Sequence, residues 1–194
     1  MLLPAVASSS PREARVFGRK FPSWWIGALV VVAGSVVGCG DDERRGEARE
    51  LATLEALEPV DAADDPFVSE RPSVVDCNPL TGWYAEDEGL EVNTAHCNYA
   101  SLGEPSLSAI RRGEIVSGSL SYFDLTAEAA AVAHVAVTVG DWIVFEREVD
   151  IPGPGDVIEF EVEAPADVAQ GELVVFHLHN HGQNTWNFEA LHVR

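Results

Sequence analysis

The sequence is poor in basic residues, and this shortage limits which partners the chain can have. It carries 32 acidic residues against 12 lysines and arginines, and its formal net charge is −20 at pH 7. The charge argues against nucleic acid as a partner, because phosphates demand a basic face. It argues equally against electrostatic docking on anionic lipid. Such an acidic excess is typical of a soluble, self-repelling surface that leaves room for divalent cations.

Sequence signatures of hydrolytic catalysis are also missing. No Gly-x-Ser-x-Gly motif occurs, although a serine nucleophile is often presented by that motif. The acidic residues are too numerous for one catalytic carboxylate pair to be singled out. No Asp-x-Asp-x-Asp-Gly calcium loop is present either. We therefore predict a non-catalytic protein and name no catalytic residue.

Cysteine is scarce, with three residues in the chain. Cys39 ends an apolar run and is discussed with it below. The other two, Cys77 and Cys97, form the one remaining pair in a chain that is predicted to be exported, so a disulfide bond is the economical assignment. The alternative is a pair of thiolate metal ligands, although their separation in sequence matches no common Cys-x-x-Cys site.

No apolar run is long enough to span a bilayer comfortably, but one has the length of a signal peptide. It is the run Ile26–Gly38, which follows a basic pair. The run ends in Val36-Val37-Gly38-Cys39, which resembles the lipobox of bacterial lipoproteins. That resemblance implies cleavage before Cys39, acylation of its thiol by palmitate-like chains, and a membrane-anchored protein of the bacterial cell envelope. Several acyl chains give stable anchoring, whereas a single chain is marginal.

Composition divides the chain into three parts. Residues 1–38 are the predicted signal peptide, and residues 39–72 are predicted to form an acylated, acidic and flexible tether. Within the tether, Leu51, Leu54 and Leu57 recur at helical spacing, so a short helix is expected there. Without residues 1–38 the chain keeps 8 basic and 31 acidic residues, so the exported part is more acidic than the whole.

Residues 73–194 are predicted to fold as an all-β domain, an antiparallel β-sandwich of about eight strands. Short runs rich in Val, Ile, Phe and Tyr recur there between Gly, Pro, Asp and Asn. The clearest hairpin joins Val132–Val139 to Trp142–Val149 through Gly140-Asp141. Leu173–Phe176 is apolar on both faces, which indicates a central strand.

The other predicted strands are weaker or alternate in polarity. Val157–Glu163 alternates cleanly, so Ile158, Phe160 and Val162 are predicted to point inward. The remaining predicted strands are Leu90–Thr94, Ser106–Arg111, Glu114–Leu125 and Asn187–Val193.

The order of these elements, over roughly residues 95–193, resembles the galactose-binding-like jelly rolls common among carbohydrate-binding modules. The resemblance rests on a polar-Gly-apolar run at Arg112–Val116, a Pro- and Gly-containing loop before the penultimate strand, and a final Trp-x-Phe-x-x-Leu-x-Val strand. It implies a jelly-roll sandwich, a glycan or another envelope component as ligand, and often a structural Ca²⁺, for which we name no ligands.

The stretch from Gly171 to Val193 holds four of the six histidines of the chain. His177, His179 and His181 alternate along a predicted strand and its end, so their imidazoles share one face and could hold zinc or copper. His134 or His192 could join them if its strand is a neighbour. The alternative is that these rings hydrogen-bond to loop backbone and pack on an aromatic residue.

A second candidate site is a glycan-binding loop in the same stretch. Amide side chains bind sugar hydroxyls and aromatic faces pack against sugar C–H surfaces. The loop offers both groups in Asn180, Gln183, Asn184, Trp186 and Asn187. The alternative is that the asparagines satisfy turn backbone and the tryptophan fills the core.

The function predicted from the sequence is that of a lipid-anchored, non-catalytic binding or structural module of the cell envelope. Its ligand is predicted to be a glycan or another envelope component. The alternative function is transition-metal binding through His177, His179 and His181.

Overall fold

The structure is a computed structural model, and it describes residues 46–86 and 89–194. These residues fall within one compact unit and form eleven strands and two short 3-10 helices. The predicted signal peptide, the lipobox and Cys39 lie outside the described residues. Within the described ranges, no helix has both the length and the apolar character needed to cross a membrane.

The strands are labelled β1 to β11 in chain order. Their bounds are β1 (Arg49–Glu50), β2 (Glu58–Pro59), β3 (Trp83–Glu86), β4 (Gly89–Asn93), β5 (Tyr99–Pro105), β6 (Ile115–Tyr122), β7 (Ala131–Val139), β8 (Trp142–Ile151), β9 (Asp156–Glu163), β10 (Leu173–His179) and β11 (Thr185–Val193). The two 3-10 helices span Leu54–Ala56 and Val68–Glu70.

The strands form two antiparallel sheets, which confirms the predicted all-β sandwich. The six-stranded sheet has the order β3-β4-β11-β6-β9, with β1 paired to the end of β11, and the five-stranded sheet has the order β2-β5-β10-β7-β8. The core lies between them, where Phe176 of one sheet stacks on Phe188 of the other with ring centroids 5.0 Å apart. Burying a side chain of this size contributes roughly 1.5–3 kcal/mol.

The strongest sequence patterns are confirmed. The predicted hairpin is formed by β7 and β8, and Gly140 in its turn has φ of +56°, a conformation that glycine adopts without strain. In β9, Ile158 and Phe160 are buried and Glu159 and Glu161 are exposed. The strand predicted to be central, β10, lies between β5 and β7.

Four strands were missed, namely β1 and β2 in the predicted tether and β3 and β5 beyond it, and one predicted strand is wrong. Ser106–Arg111 contributes only an isolated bridge between Ile110 and Val168. The sequence of β5 does not alternate because both of its faces are buried over its first five residues. Gly103 within it is required by close packing, since an added Cβ would lie 2.6 Å from the carbonyl oxygen of Val174.

The predicted boundary between tether and folded domain at residue 73 is wrong, because the chain from Arg49 onward belongs to the sandwich. Leu51, Leu54 and Leu57 are buried in the core. Between β1, which pairs with one sheet, and β2, which pairs with the other, this segment crosses the end of the sandwich. The short helix expected there is a single 3-10 turn.

Residues 60–71, which we call the strap, then lie against the outer face of the five-stranded sheet. Asp65 is the main attachment point. Its carboxylate accepts hydrogen bonds from the hydroxyls of Tyr99 at 2.7 Å and Ser101 at 3.0 Å, and it pairs with Arg71 at 2.9 Å. A buried carboxylate is tolerated here because every partner it needs is supplied by β5 or by the strap itself.

The predicted disulfide bond between Cys77 and Cys97 is present. The same two residues form an isolated backbone bridge, so the segment that follows the strap is tied to the start of β5. Closing a loop of this length contributes about 3 kcal/mol in the chain-entropy account of disulfide stabilisation.

Candidate functional site

The loop between β10 and β11 is a braced turn. Thr94 lies at its centre, where its hydroxyl accepts hydrogen bonds from the Asn180 amide at 2.7 Å and the Asn184 backbone N–H at 2.8 Å. The same hydroxyl donates to the Gly182 carbonyl at 2.8 Å. The side-chain carbonyl of Asn184 accepts from the Thr126 backbone N–H at 2.6 Å. Asn180 and Asn184 therefore hold the turn together, which is the alternative that the sequence left open.

Trp186 is a core residue. Its side chain is 1% exposed, and its ring centroid lies 4.3 Å from that of Tyr122. A sugar cannot stack on a ring that has no exposed face. The predicted role of Trp186 as a sugar platform is therefore wrong, because alternation along β11 turns Trp186 inward and Asn187 outward.

His181 and Gln183 are the exposed side chains of this loop, and they line an open groove of about 960 Å³. Its lining also includes Thr94, Asn98 and residues 126–131. None of the lining residues that the structure describes is Phe, Tyr or Trp. The described part of its lining therefore offers hydrogen-bonding groups and one imidazole, but no large aromatic face.

Asn187 lines a second groove of about 720 Å³, which we call the rim groove, at the edge of the outer face of the six-stranded sheet. Asn187 is paired with Ser121 on β6, and Ser121 is paired with Val157 on β9. Phe123 lies two residues beyond Ser121 and is 75% exposed, while Val157 is 63% exposed. The rim groove therefore brings an amide, a hydroxyl and an exposed aromatic ring together.

The turn that follows β8 forms one wall of the rim groove. The Gly155 backbone N–H donates to the Asp124 carboxylate at 2.9 Å. Leu125 and Gly153 exchange backbone hydrogen bonds of 2.7 and 3.1 Å. An added Cβ at Gly155 would lie 2.8 Å from the carbonyl oxygen of Tyr122, so only glycine allows the turn to pack this closely. These contacts fix the wall in position.

A cluster of ionisable side chains lies beneath the strap on the outer face of the five-stranded sheet. His177, in the middle of β10, has Ser101 and Ala136 as its register partners on β5 and β7. The small side chain of Ala136 leaves room beside the imidazole. Phe67 of the strap stacks on this imidazole, with ring centroids 4.3 Å apart and planes 20° apart. His177 is 0% exposed as a result.

Glu70, in the second 3-10 helix, reaches into this cluster. Its carboxylate oxygens lie 2.9 Å from Nδ1 of His134, 3.7 Å from Nε2 of His177 and 3.4 Å from Nδ1 of His179. His134 and His179 are register partners on β7 and β10. Candidate ligand atoms of Glu70, His134 and His177 all lie within 4.8 Å of one another, so these three side chains converge on one point.

A second carboxylate contacts His134 from the side away from Glu70. Nε2 of His134 lies 3.0 Å from Oε1 of Glu146 on β8. A proton on Nε2 in this hydrogen bond leaves the Nδ1 lone pair for a metal ion, whereas without an ion Nδ1 shares a hydrogen bond with Glu70. Histidines that bind metals commonly have such an outer carboxylate, which fixes their tautomer and ring orientation.

Burial and neighbouring charges shift the pKa values in the cluster. Burial, followed by the charge of His134, lowers the pKa of His177 to about 4, so this imidazole is neutral at pH 7. Burial also lowers the pKa of His179, with His181 acting in the same direction and Glu70 against it. Burial alone would raise the pKa of Glu70, but hydrogen bonding to His134 and the charges of His134 and His177 hold it below its ordinary value.

Neither ring nitrogen of His177 has a hydrogen-bond partner among the described residues, although both are buried. Leaving a buried polar group unpaired costs about 1–3 kcal/mol. A neutral imidazole carries one N–H donor and one lone pair, so both go unused here. The cluster thus contains binding capacity that the described protein groups do not fill.

The other predicted histidines lie outside this cluster. His181 is exposed, with its ring centroid 4.5 Å from that of His179, and His192 lies on the other sheet, paired with Ser117. Of the three histidines predicted to bind metal, His177 and His179 lie within 4 Å of the Glu70 carboxylate, and His181 is not among its contacts. The structural Ca²⁺ implied by the resemblance stays a prediction.

Sequence reasoning missed Glu70 and Phe123. Glu70 was hidden in a segment whose acidic composition favoured disorder. A lone aromatic residue three positions earlier, Phe67, was the one signal that this segment docks. Phe123 directly follows Tyr122, and of two adjacent aromatic residues at a strand end, one must face outward.

No protein-family model matches the chain, and no curated protein matches it. Among solved structures, the carbohydrate-binding module CBM4 has 15% identity and a TM-score of 0.35, with 58% of this chain and 74% of that chain covered. A family 16 carbohydrate-binding module has 9% identity and a TM-score of 0.35, with 57% and 79% covered.

A third solved structure, TmCBM61 in complex with beta-1,4-galactotriose, has 8% identity and a TM-score of 0.33, with 57% of this chain and 73% of that chain covered. Likeness at this level does not assign the chain to a family, and it does not identify a ligand.

Proposed function

We propose that this protein is a non-catalytic, lipid-anchored binding module of the bacterial cell envelope, and that its ligand is a glycan bound in the rim groove. The observation that carries the proposal is the side chain of Phe123, which is 75% exposed beside the amide of Asn187. Val157, which is 63% exposed, lines the same groove, and exposed apolar surface rimmed by polar groups often marks a ligand-binding groove.

The chemistry of the rim groove suits a sugar. An aromatic face packs against the C–H surface of a pyranose, while amide, hydroxyl and carboxylate groups bind its hydroxyls. Ser121 and Asn187 supply the first two kinds of group, and Asp124 and Asp156 supply carboxylates. The glycan site proposed here is the rim groove and not the loop between β10 and β11 that the sequence favoured. Asn187 belongs to both.

The lipid anchor and the location in the cell envelope are part of this proposal and rest on the sequence alone. The lipobox resemblance places the acylated residue at Cys39, outside the described residues. Metabolic labelling with palmitate is the measurement, and labelling that persists after Cys39→Ala would count against an anchor at this position.

The glycan proposal is tested with the full-length protein, extracted in detergent and applied to an array of bacterial and plant polysaccharides. We expect Phe123→Ala to weaken binding by at least about tenfold, because an aromatic contact of roughly 1.4 kcal/mol corresponds to that factor. Phe123→Trp should retain binding.

Val74→Ala is the matched control, since Val74 is also a largely exposed apolar side chain but does not line the rim groove. Its binding should equal that of the unmodified protein. Binding that is unaffected by Phe123→Ala, or no polysaccharide binding at all, would overturn the proposal. Urea unfolding of Phe123→Ala should show a change within about 0.5 kcal/mol, as is usual for surface substitutions.

A further inference from the structure

We infer that Glu70, His134 and His177 form a binding site for one divalent transition-metal ion of the zinc class. The site is distinct from the rim groove. It lies on the outer face of the five-stranded sheet, whereas the rim groove lies on the six-stranded sheet.

The distances suit a single ion. Zinc binds imidazole nitrogen and carboxylate oxygen at about 2.0–2.2 Å, so neighbouring ligand atoms in a tetrahedral site lie roughly 3.3–3.5 Å apart. Oε2 of Glu70 lies 3.0 Å from Nδ1 of His134 and 3.7 Å from Nε2 of His177. These two distances differ from the tetrahedral spacing by a few tenths of an ångström, and all three ligand atoms lie within 4.8 Å of one another.

The donor atoms select the class of metal. Two imidazoles and one carboxylate are ligands of Zn²⁺ and its neighbours in the transition series, whereas Ca²⁺ and Mg²⁺ prefer oxygen alone. Soft ions such as Cu⁺ prefer thiolates, and the two cysteines that the structure describes are joined in the disulfide bond. Zn²⁺ is therefore the first probe.

His177 provides the independent observation that a ligand belongs here. It is fully buried, and neither of its ring nitrogens has a hydrogen-bond partner among the described residues. Its Nε2 lies 3.7 Å from the carboxylate of Glu70. A metal ion at that point would use the lone pair that the protein leaves unpaired.

Two further residues support the three ligands. Glu146 contacts Nε2 of His134 at 3.0 Å and so directs Nδ1 to the ion. His179 has Nδ1 at 3.4 Å from Glu70 and is partly exposed, so it is placed where the site opens to solvent. His179 can hold the carboxylate or add a fourth nitrogen.

The test uses the full-length protein, purified in detergent without a polyhistidine tag and stripped with a chelator. Zn²⁺ is titrated against a chromogenic chelator, and bound metal is counted by elemental analysis. We expect one equivalent of Zn²⁺. Glu70→Gln, which preserves shape, should weaken Zn²⁺ affinity by at least about tenfold, and Glu146→Gln by about 10- to 100-fold, as is typical for outer partners of metal ligands.

His192→Gln is the matched control, because His192 lies on the other sheet and its loss should leave Zn²⁺ affinity unchanged. His181→Gln tests whether the exposed histidine alone accounts for binding. The proposal is overturned if the stripped protein takes up no Zn²⁺, or if Glu70→Gln binds as tightly as the unmodified protein. It is also overturned if only His181→Gln abolishes uptake.

A second readout tests the site without replacing His177, whose buried side chain could be needed for folding. Cobalt, which takes the same ligands as zinc, gives an absorption spectrum that depends on coordination geometry. We expect intense visible bands from a four-coordinate Co²⁺ complex in the unmodified protein and their loss in Glu70→Gln. Bands of equal intensity in both would count against the site.

Discussion

The outer faces of the two sheets differ in what covers them. On the five-stranded sheet, Ser101 and His177 are buried beneath the strap. On the six-stranded sheet, Ser121 of β6 is half-buried and Val157 and Glu159 of β9 are exposed. Glu189 accepts a hydrogen bond from the Ser121 hydroxyl at 2.6 Å. Alternation along a strand therefore shows which side chains leave the core, but it does not show which of them reach water.

The difference divides the possible ligands between the two faces. A covered polar face has a low dielectric constant and fixed partners, which favours a small ion held by a few ligands. An open face with an exposed aromatic ring accommodates an extended ligand. The strap is the segment that creates this contrast, so the predictions that follow act on the strap or on what it covers.

The largest effect is expected from Asp65→Ala, which removes the carboxylate that attaches the strap to β5. We expect a loss of about 3 kcal/mol in the free energy of unfolding, at the lower end for a broken buried ion pair because Arg71 keeps some contact with water. Urea unfolding with the lipidated protein in detergent is the measurement.

Glu159→Ala is the control for this prediction. Glu159 is an exposed carboxylate on the open face, and its loss should change the free energy of unfolding by no more than about 0.5 kcal/mol. Equal effects of the two substitutions would show that the covered and open faces do not differ energetically.

A smaller effect that depends on metal is expected from His177→Leu. In the metal-free protein it replaces an unpaired buried imidazole by an apolar side chain, so we expect it to be neutral or stabilising by about 1 kcal/mol. With Zn²⁺ at 100 times its dissociation constant, the unmodified protein should gain about 2.7 kcal/mol and the variant should gain nothing.

Thermal unfolding with and without Zn²⁺ distinguishes the two interpretations of His177. If His177 is only a packing residue, Zn²⁺ will leave both melting temperatures unchanged. If the variant is stabilised by Zn²⁺ as much as the unmodified protein, the ion binds elsewhere.

The smallest effect is a dependence on pH. Burial alone would raise the pKa of Asp65, but hydrogen bonds from Tyr99, the Phe67 backbone, Arg71 and Ser101 hold it below its ordinary value. The unfolded chain therefore binds a proton more readily than the folded one. The resulting stability is present above the unfolded pKa, about 3.9, and is lost as pH falls through the folded pKa.

Asp65→Asn should remove this contribution, so its stability should fall less steeply below about pH 4 than that of the unmodified protein. Glu70, whose pKa is also lowered, changes both proteins alike. Unfolding free energies measured at a series of acidic pH values give the comparison. If the free energy of unfolding fell equally steeply with decreasing pH in both proteins, Asp65 would not be the source of this pH dependence.

The elements that could be predicted from sequence are those whose pattern is local. β9 alternates because one of its faces meets the core and the other meets water. The hairpin of β7 and β8 was visible because its turn residues follow each other in the sequence. β10 was recognised as central because it is apolar on both faces.

The docking of the strap on the sheet could not be predicted, because it depends on contacts with residues far away in the sequence. Asp65 is acceptable in the interior only because Tyr99 and Ser101 supply hydrogen bonds across a sequence separation of more than thirty residues. The average composition of the segment favours disorder. Its single buried aromatic side chain, Phe67, outweighs that average by packing on His177.

The candidate metal site was predicted only in part, because some of its residues are also brought together from distant parts of the sequence. The histidines of β10 lie two apart, so their common face was a local inference. That His134 lies opposite His179 depends on the pairing of β7 with β10, strands that are separated by β8 and β9 in the chain. The carboxylate of Glu70 completes the cluster from a segment that pattern analysis had assigned to a tether.

The path of residues 46–71 also gives the domain a mechanical property. A pull on the chain from its N-terminal side would first load β1, which is paired to β11 through only two residues. It would next load Leu51 and Leu54 in the core, and then the strap with its ion pair between Asp65 and Arg71. Tension would therefore be resisted in steps, and the covered face would open before the two sheets separate.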